Sequence, residues 1–321
     1  MNKSSLKVVA IGGGTGLSTM LRGIKKYTSD ITAIVTVSDN GGGSGVLREE
    51  MNIIPPGDIR NCIVALANTE PIMKNLLQYR FKEGSLKGQN FGNLLLAALT
   101  DVSGNFERAV QVTSKVLAIT GKVLPVTLEN VQLYVTFEND VCVEGETQIV
   151  EYSKQNHIMI KDIRLEPESP EPAQEVIEAI EDAEIILLGP GSLYTSIIPN
   201  LLIKKVTEAL SKSKAQKIYI ANMMSQPGET TGFTVENHIE ELEKYIGKGT
   251  LNKVIVNNQD VPAEYLEKYI EEGAHMLGLN EKHPIWERIE RIEAPLVHIN
   301  HEKEYIRHNH EKLAEYIFKD I

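Results

Sequence analysis

An apolar run, Leu6 to Ile11, stops abruptly at Gly12-Gly13-Gly14-Thr15-Gly16. Leu17, Met20, Leu21 and Ile24 then recur at i, i+3, i+4 and i+7, the spacing of one helix face. Ile31 to Val37 is a second β-branched run. Strand, glycine loop, helix and strand within about 30 residues make a βαβ unit, which requires a parallel sheet.

The rest of the chain extends this pattern. Helical spacing covers roughly 58–67, 93–101 and 106–119. Near Pro125 the pattern changes. Val131, Leu133, Val135 and Phe137 alternate with Gln132, Tyr134, Thr136 and Glu138, the period of a half-exposed strand. Glu138-Asn139-Asp140 reads as a turn, with further strands expected at Val141–Val143 and Thr147–Val150. Pro167, Pro170 and Pro172 make a stiff connection back. Strands fit at 184–188, 216–221, 252–256 and 295–299, and a last helix at about 309–319. The expected architecture is α/β and Rossmann-like: a mostly parallel sheet flanked by helices, with a small antiparallel β-rich insertion. The expected division is 1–125 with 166–321 as one discontinuous nucleotide-binding domain, and 126–165 as the insertion.

Composition narrows the function classes. Lys plus Arg is 33 against 44 Asp plus Glu, a net charge of −11. That balance disfavours nucleic-acid and anionic-membrane surfaces, which need clustered basic charge. It leaves room for a small phosphorylated ligand held by backbone amides. Two cysteines, Cys62 and Cys142, provide neither a disulfide framework nor a cysteine zinc site. With no long apolar stretch, a cytoplasmic location is expected.

The glycine loops carry the chemistry. Gly13, Gly14, Thr15 and Gly16 lie between a strand and a helix, where free N–H groups and the helix dipole suit a phosphate. The Walker lysine is absent, so this is not an ATPase loop. Asp39 follows the second strand, where Rossmann-type folds place a ribose-binding acid. Its competing roles are ribose partner, metal ligand and general base. It opens a second loop with Asn40, Gly41, Gly42, Gly43, Ser44 and Gly45. A third loop, Gly189-Pro190-Gly191-Ser192, follows an apolar strand that reads as central. Asn93 in Gln89-Asn90-Phe91-Gly92-Asn93 is either a ligand contact or a helix N-cap. Asn222 begins a fifth loop that contains Gln226-Pro227-Gly228-Glu229-Thr230. In an open parallel sheet such loops converge at the carboxyl edge.

Other features read more simply. Asp58 in Asp58-Ile59-Arg60-Asn61 reads as an N-cap, and Arg60 either answers an anion or pairs locally with Asp58 or a Glu. His298, His301, His308 and His310 fit no zinc spacing and read as surface histidines. Pro262 to Glu272 reads as a solvated helix capped by Gly273. No catalytic residue is assigned.

Taken together, Gly12 to Gly16, Asp39 to Arg48, Asp58 to Asn61 and Gly189 to Ile197 resemble the YvcK family of bacterial gluconeogenesis factors. That family belongs to the CofD-like superfamily, named for 2-phospho-L-lactate transferase. The resemblance runs in order over nearly the whole chain. It implies a Rossmann-like fold and a role in growth and cell shape on gluconeogenic carbon sources. It also implies binding of UDP-sugars, notably UDP-N-acetylglucosamine or UDP-glucose. Gly13–Gly16, Asp39–Ser44 and Gly189–Ser192 match the family's nucleotide-site positions. Tyr269 and Arg307 match positions used for the nucleotide sugar. For Arg307 the alternative is a surface pair with Glu302 or Glu304. The second loop departs from the family pattern, reading Asp39-Asn40 for Asp-Asp, which weakens a two-carboxylate metal site.

Three readings follow. The first is a UDP-sugar-sensing regulator of a metabolic or cell-wall-precursor enzyme, with no obligatory cofactor. The second is a CofD-like transferase with a divalent metal at Asp39. The third is an NAD-binding redox protein. The first is preferred, because no acid–base pair is visible. A homo-oligomer is expected.

Overall fold

The computed structural model of the protein describes residues 5–300 and 305–319. Seven strands form the central sheet: Val8–Gly12, Ile31–Val35, Lys122–Pro125, Ile185–Leu188, Gln216–Ile220, Lys253–Asn257 and Glu290–Ala294. Counted in chain order, they lie side by side as 3-2-1-4-5-6-7. Every neighbouring pair is parallel. Val8–Gly12, Ile31–Val35 and Ile185–Leu188 are buried at every position, because helices cover both faces of a parallel sheet. The strand order reverses between Val8–Gly12 and Ile185–Leu188, so the loops after these two strands diverge and leave a crevice.

The helix Thr15–Ile24 buries Leu17, Met20, Leu21 and Ile24, the stripe its spacing predicts. It packs against Pro56–Leu66 and the terminal helix His310–Ile317. A three-stranded antiparallel sheet interrupts the α/β alternation. In it Gln132–Phe137 pairs with Cys142–Glu144 on one side and Ile160–Glu166 on the other. Leu133, Val135 and Phe137 point inward, as the period-two pattern requires.

Several expectations need correction. Thr147–Val150 is not a strand; it lies in the helix Glu146–Asn156. The signal was present, since Ile149 and Ser153, its buried residues, are four apart and most of the rest are good helix formers. The strand expected at 295–299 is Val297–Asn300, but it pairs antiparallel with Tyr305–His308 in a separate hairpin. The sheet edge belongs instead to Glu290–Ala294. Its charged sequence conceals it, since an edge strand tolerates acids and bases and here Glu290 pairs with Lys253 at 3.1 Å. Gly42 to Gly45 do not form an open loop but begin the helix Gly42–Met51.

Candidate functional site

The loops after the first and fourth strands border a cavity of about 480 Å³ at the switch point. Gly13, Gly14, Thr15, Gly16, Asp39, Gly191, Ser192, Asn222, Tyr269 and Arg307 all line it. Asn40, Gly41, Gly42, Ser44, Asn93 and Gly189 do not. They act from behind the wall or elsewhere in the fold.

The first loop is shaped by what packs against it. A Cβ on Gly14 would lie 2.7 Å from the Asp58 Cα, and one on Gly16 would lie 2.7 Å from the Pro190 carbonyl carbon. Close backbone approach, rather than left-handed geometry, therefore excludes side chains here; Gly14 sits at φ −85°. The first helical hydrogen bond runs from Ser18 N–H to the Gly14 carbonyl at 2.9 Å. The amides of Thr15, Gly16 and Leu17 precede the helical ladder, at the positive end of the dipole. The Gly14 N–H donates to the Asp58 carboxylate.

Asp58 is not an N-cap. The helix begins at Pro56 after Pro55, and Asp58 sits in its first turn. Burial, and then the charge of Asp39, push its carboxyl up to about 7. Asp39 accepts from Gly41 N–H at 2.8 Å and from the Ser44 hydroxyl, yet burial still raises its pKa. Ser44 Oγ in turn accepts from Asn93 Nδ2 at 3.2 Å. Asn93 and Ser44 thus orient Asp39 from behind. Asn93 is not the cap of its helix; Asn90 is, accepting from Asn93 N–H.

A third carboxyl comes from an unexpected direction. Glu146, at the start of the helix Glu146–Asn156, also lines the cavity. Burial and the neighbouring Asp39, Asp58 and Glu229 raise its pKa well above the usual range. Asn40 secures that helix: its Oδ1 accepts from Thr147 N–H at 3.2 Å and its Nδ2 donates to Gln148 at 2.8 Å. Residue spacing alone reveals no acid pair, because these carboxyls come from three separate elements.

The third and fifth loops are locked together. Asn222 accepts from Gly191 N–H at 3.3 Å and donates to the Gly191 carbonyl at 2.8 Å. Gln226 donates to Ser192 Oγ at 2.6 Å. Glu229, 5% exposed, accepts from Tyr194 N–H and the Thr195 hydroxyl, each at 3.2 Å. Burial pushes its carboxyl up to about 7 against these bonds.

The C-terminal hairpin closes the cavity. Tyr269, in the helix Ala263–Glu271, accepts from Ile306 N–H at 2.8 Å through its hydroxyl. Arg307 donates to the Ile306 carbonyl and stacks its guanidinium 4.3 Å from the Tyr305 ring. Glu302 and Glu304, its alternative partners, lie outside the described residues, as does His301. His308 is buried rather than superficial: its Nε2 bonds the Ala221 carbonyl at 3.1 Å, and burial lowers its pKa to about 4. His298 is exposed, as expected.

The chain that carries a strand-one glycine loop, a post-strand-two acid and a Gly-Pro-Gly-Ser loop across the switch point has relatives over almost its whole length. The family model described as 2-phospho-L-lactate transferase CofD matches residues 8–297. The chain belongs to the CofD family. A relative from Thermoanaerobacterium thermosulfurigenes is 52% identical over 309 residues, covering 96% of this chain and 95% of the relative. The gluconeogenesis factor of Bacillus subtilis is 44% identical over 309 residues, covering 96% of each. A solved structure of a UPF0052-family protein from Bacillus halodurans superposes with a TM-score of 0.92 at 41% identity, over 99% of both chains. Within the CofD family, this protein therefore groups with the gluconeogenesis factors, as the motif resemblance predicted. No helix among its described residues is long and apolar enough to cross a membrane.

Proposed function

We propose that this CofD-family protein binds a nucleotide sugar, UDP-N-acetylglucosamine or UDP-glucose, in the switch-point cavity. It acts as a cytoplasmic regulator of a metabolic or cell-wall-precursor enzyme, supporting growth and cell shape on gluconeogenic carbon. One observation carries the reading: Arg307 and the Gly13–Gly16 loop, far apart in sequence, line the same cavity. An anion between them meets helix-terminal amides on one side and a guanidinium on the other. Asp39, after the second strand, is the residue for ribose hydroxyls. Calorimetric titration with both UDP-sugars, NAD and GTP tests the reading. Saturable heat with a UDP-sugar, at micromolar affinity and about −8 kcal/mol, is expected. Binding of NAD with no heat from either UDP-sugar would overturn it.

A second reading is favoured by the carboxyls of Asp39, Asp58 and Glu146: group transfer from a phosphorylated donor to an alcohol. A carboxyl with a pKa near neutrality can take the alcohol proton. Among the described residues, no three His, Cys, Asp or Glu side chains are gathered to hold a metal ion. Release of free nucleotide from a UDP-sugar in the presence of small alcohols, followed by chromatography, separates transfer from binding alone.

A further inference from the structure

Outside the switch-point cavity, one buried guanidinium is left with most of its hydrogen-bonding capacity unused. Arg60 is 9% exposed. Its Nη2 donates to Asn61 Oδ1 at 2.6 Å, but Nε and Nη1 have no hydrogen-bond partner among the described residues. The sequence allows two roles for this guanidinium, a local ion pair or a nearby anion. Among the described residues no carboxylate forms an ion pair with Arg60; Asp58 and Asp39 act on it only at longer range.

The surroundings are basic and polar. Residues 79–91 double back on themselves: Phe81 N–H bonds the Gln89 carbonyl, Gly88 N–H bonds the Phe81 carbonyl and Phe91 N–H bonds the Tyr79 carbonyl, each at 2.9 Å. This turn carries the exposed Arg80, whose Nη1 donates to the Gly88 carbonyl and leaves its other N–H groups for a ligand; after burial, its charge helps lower the Arg60 pKa to about 10. Two guanidinium groups in one neighbourhood repel unless an anion lies between them. Gly92 provides room for Arg60, since a Cβ there would sit 2.7 Å from Arg60 Cδ. Next to Gly92, Asn93 keeps a buried Oδ1 without a partner, and so does Gln89 with its Oε1.

We propose that Arg60 and Arg80 form a phosphate subsite beneath the 79–91 turn, taking the phosphate of a ligand separate from the nucleotide sugar. The donor and acceptor inventory favours phosphate over carboxylate. A hydrogen phosphate accepts from guanidinium N–H groups through its bare oxygens. Its P–OH can also donate to an amide oxygen such as that of Asn93, the residue after Gly92, which an ionised carboxylate cannot do. None of these residues lines the switch-point cavity, but Asn93 also holds Ser44 behind Asp39, so the subsite adjoins the nucleotide site and is told apart from it by the ligand each takes.

The test is calorimetric titration of inorganic phosphate into the whole protein, with ionic strength held constant by sodium chloride and acetate as the comparison anion. Saturable phosphate binding is expected, with acetate at least tenfold weaker. Arg60→Gln and Arg80→Gln should each weaken phosphate at least tenfold. Binding should persist in Arg307→Ala and at saturating UDP-N-acetylglucosamine. Circular dichroism checks folding; if Arg60→Gln does not fold, the exposed Arg80 decides through Arg80→Gln. Three outcomes overturn the proposal: no saturable binding, equal binding in Arg80→Gln, or loss of binding in Arg307→Ala. Displacement of phosphate by the UDP-sugar would also overturn it. Failure of the UDP-sugar to bind, with phosphate behaving as expected, would count against the nucleotide-sugar reading alone.

Discussion

Asp58 occupies the space that a side chain on Gly14 would need, and its carboxylate accepts the Gly14 N–H. The first glycine loop is therefore held by the protein's own acid as well as being open to a ligand. This changes what substitution at Gly14 tests. Gly14→Ala should destabilise the fold by about 1–3 kcal/mol, the cost of forcing atoms into a filled space. Adding Asp58→Ala should not restore stability fully, because the Asp58 Cα itself stands 2.7 Å from the new Cβ. Urea unfolding of the single and double variants checks this.

The pH dependence has a defined sign. Asp58 and Glu229 titrate near 7 in the folded protein and near ordinary carboxyl values when unfolded. A folded state that binds more protons gains stability as pH falls. His238 and His308 work the other way, since burial lowers both to about 4 from 6.5. Their loss begins below about 6.5. The thermal midpoint should therefore rise as pH falls from about 8 to about 6.5, with the raised carboxyls of Glu146 and Asp39 acting in the same sense and the two histidines opposing the rise below that. Asp58→Asn should flatten the first part of that rise, as differential scanning calorimetry would show.

Arg307→Ala should weaken UDP-sugar binding by about 2–3 kcal/mol, the scale of a lost charge-assisted contact, with little change in unfolding. Arg307→Lys should recover only part of this, because a point charge cannot reproduce the planar fork. Equal affinity in all three proteins would place the guanidinium outside the binding contact.

Tyr269→Phe removes the acceptor for Ile306 N–H. The hairpin that carries Arg307 should loosen, at a cost of about 1 kcal/mol. Faster amide exchange at 305–308, together with a several-fold loss of UDP-sugar affinity, is the expected pair of results.

Asn40→Ala removes two hydrogen bonds that tie the helix Glu146–Asn156 to the second loop. Amide exchange across 146–149 should increase, while exchange in the sheet strand Ile31–Val35 stays unchanged. Equal protection in both proteins would mean that packing against the three-stranded sheet, with Ile149 buried and Tyr152 against Phe137, holds the helix without Asn40.

The sequence by itself determined the parallel sheet, the helix Thr15–Ile24 and the gathering of glycine loops at one edge. Those features are local: burial repeats with the period of each element, and glycine marks where the backbone turns. The apolar run Ile185–Leu188 could be read as central because both its faces are covered. The tertiary structure alone decided which groups meet. Asp58 reaches Gly14, Glu146 arrives from the interrupting segment, and Asn222 grips Gly191 across 31 residues. No period encodes such meetings, which depend on how separate elements pack. For the same reason spacing missed the edge strand Glu290–Ala294 and misread Glu146–Asn156. At a half-exposed edge or on a surface helix, few positions are buried, so the apolar pattern thins out and long-range packing assigns the structure.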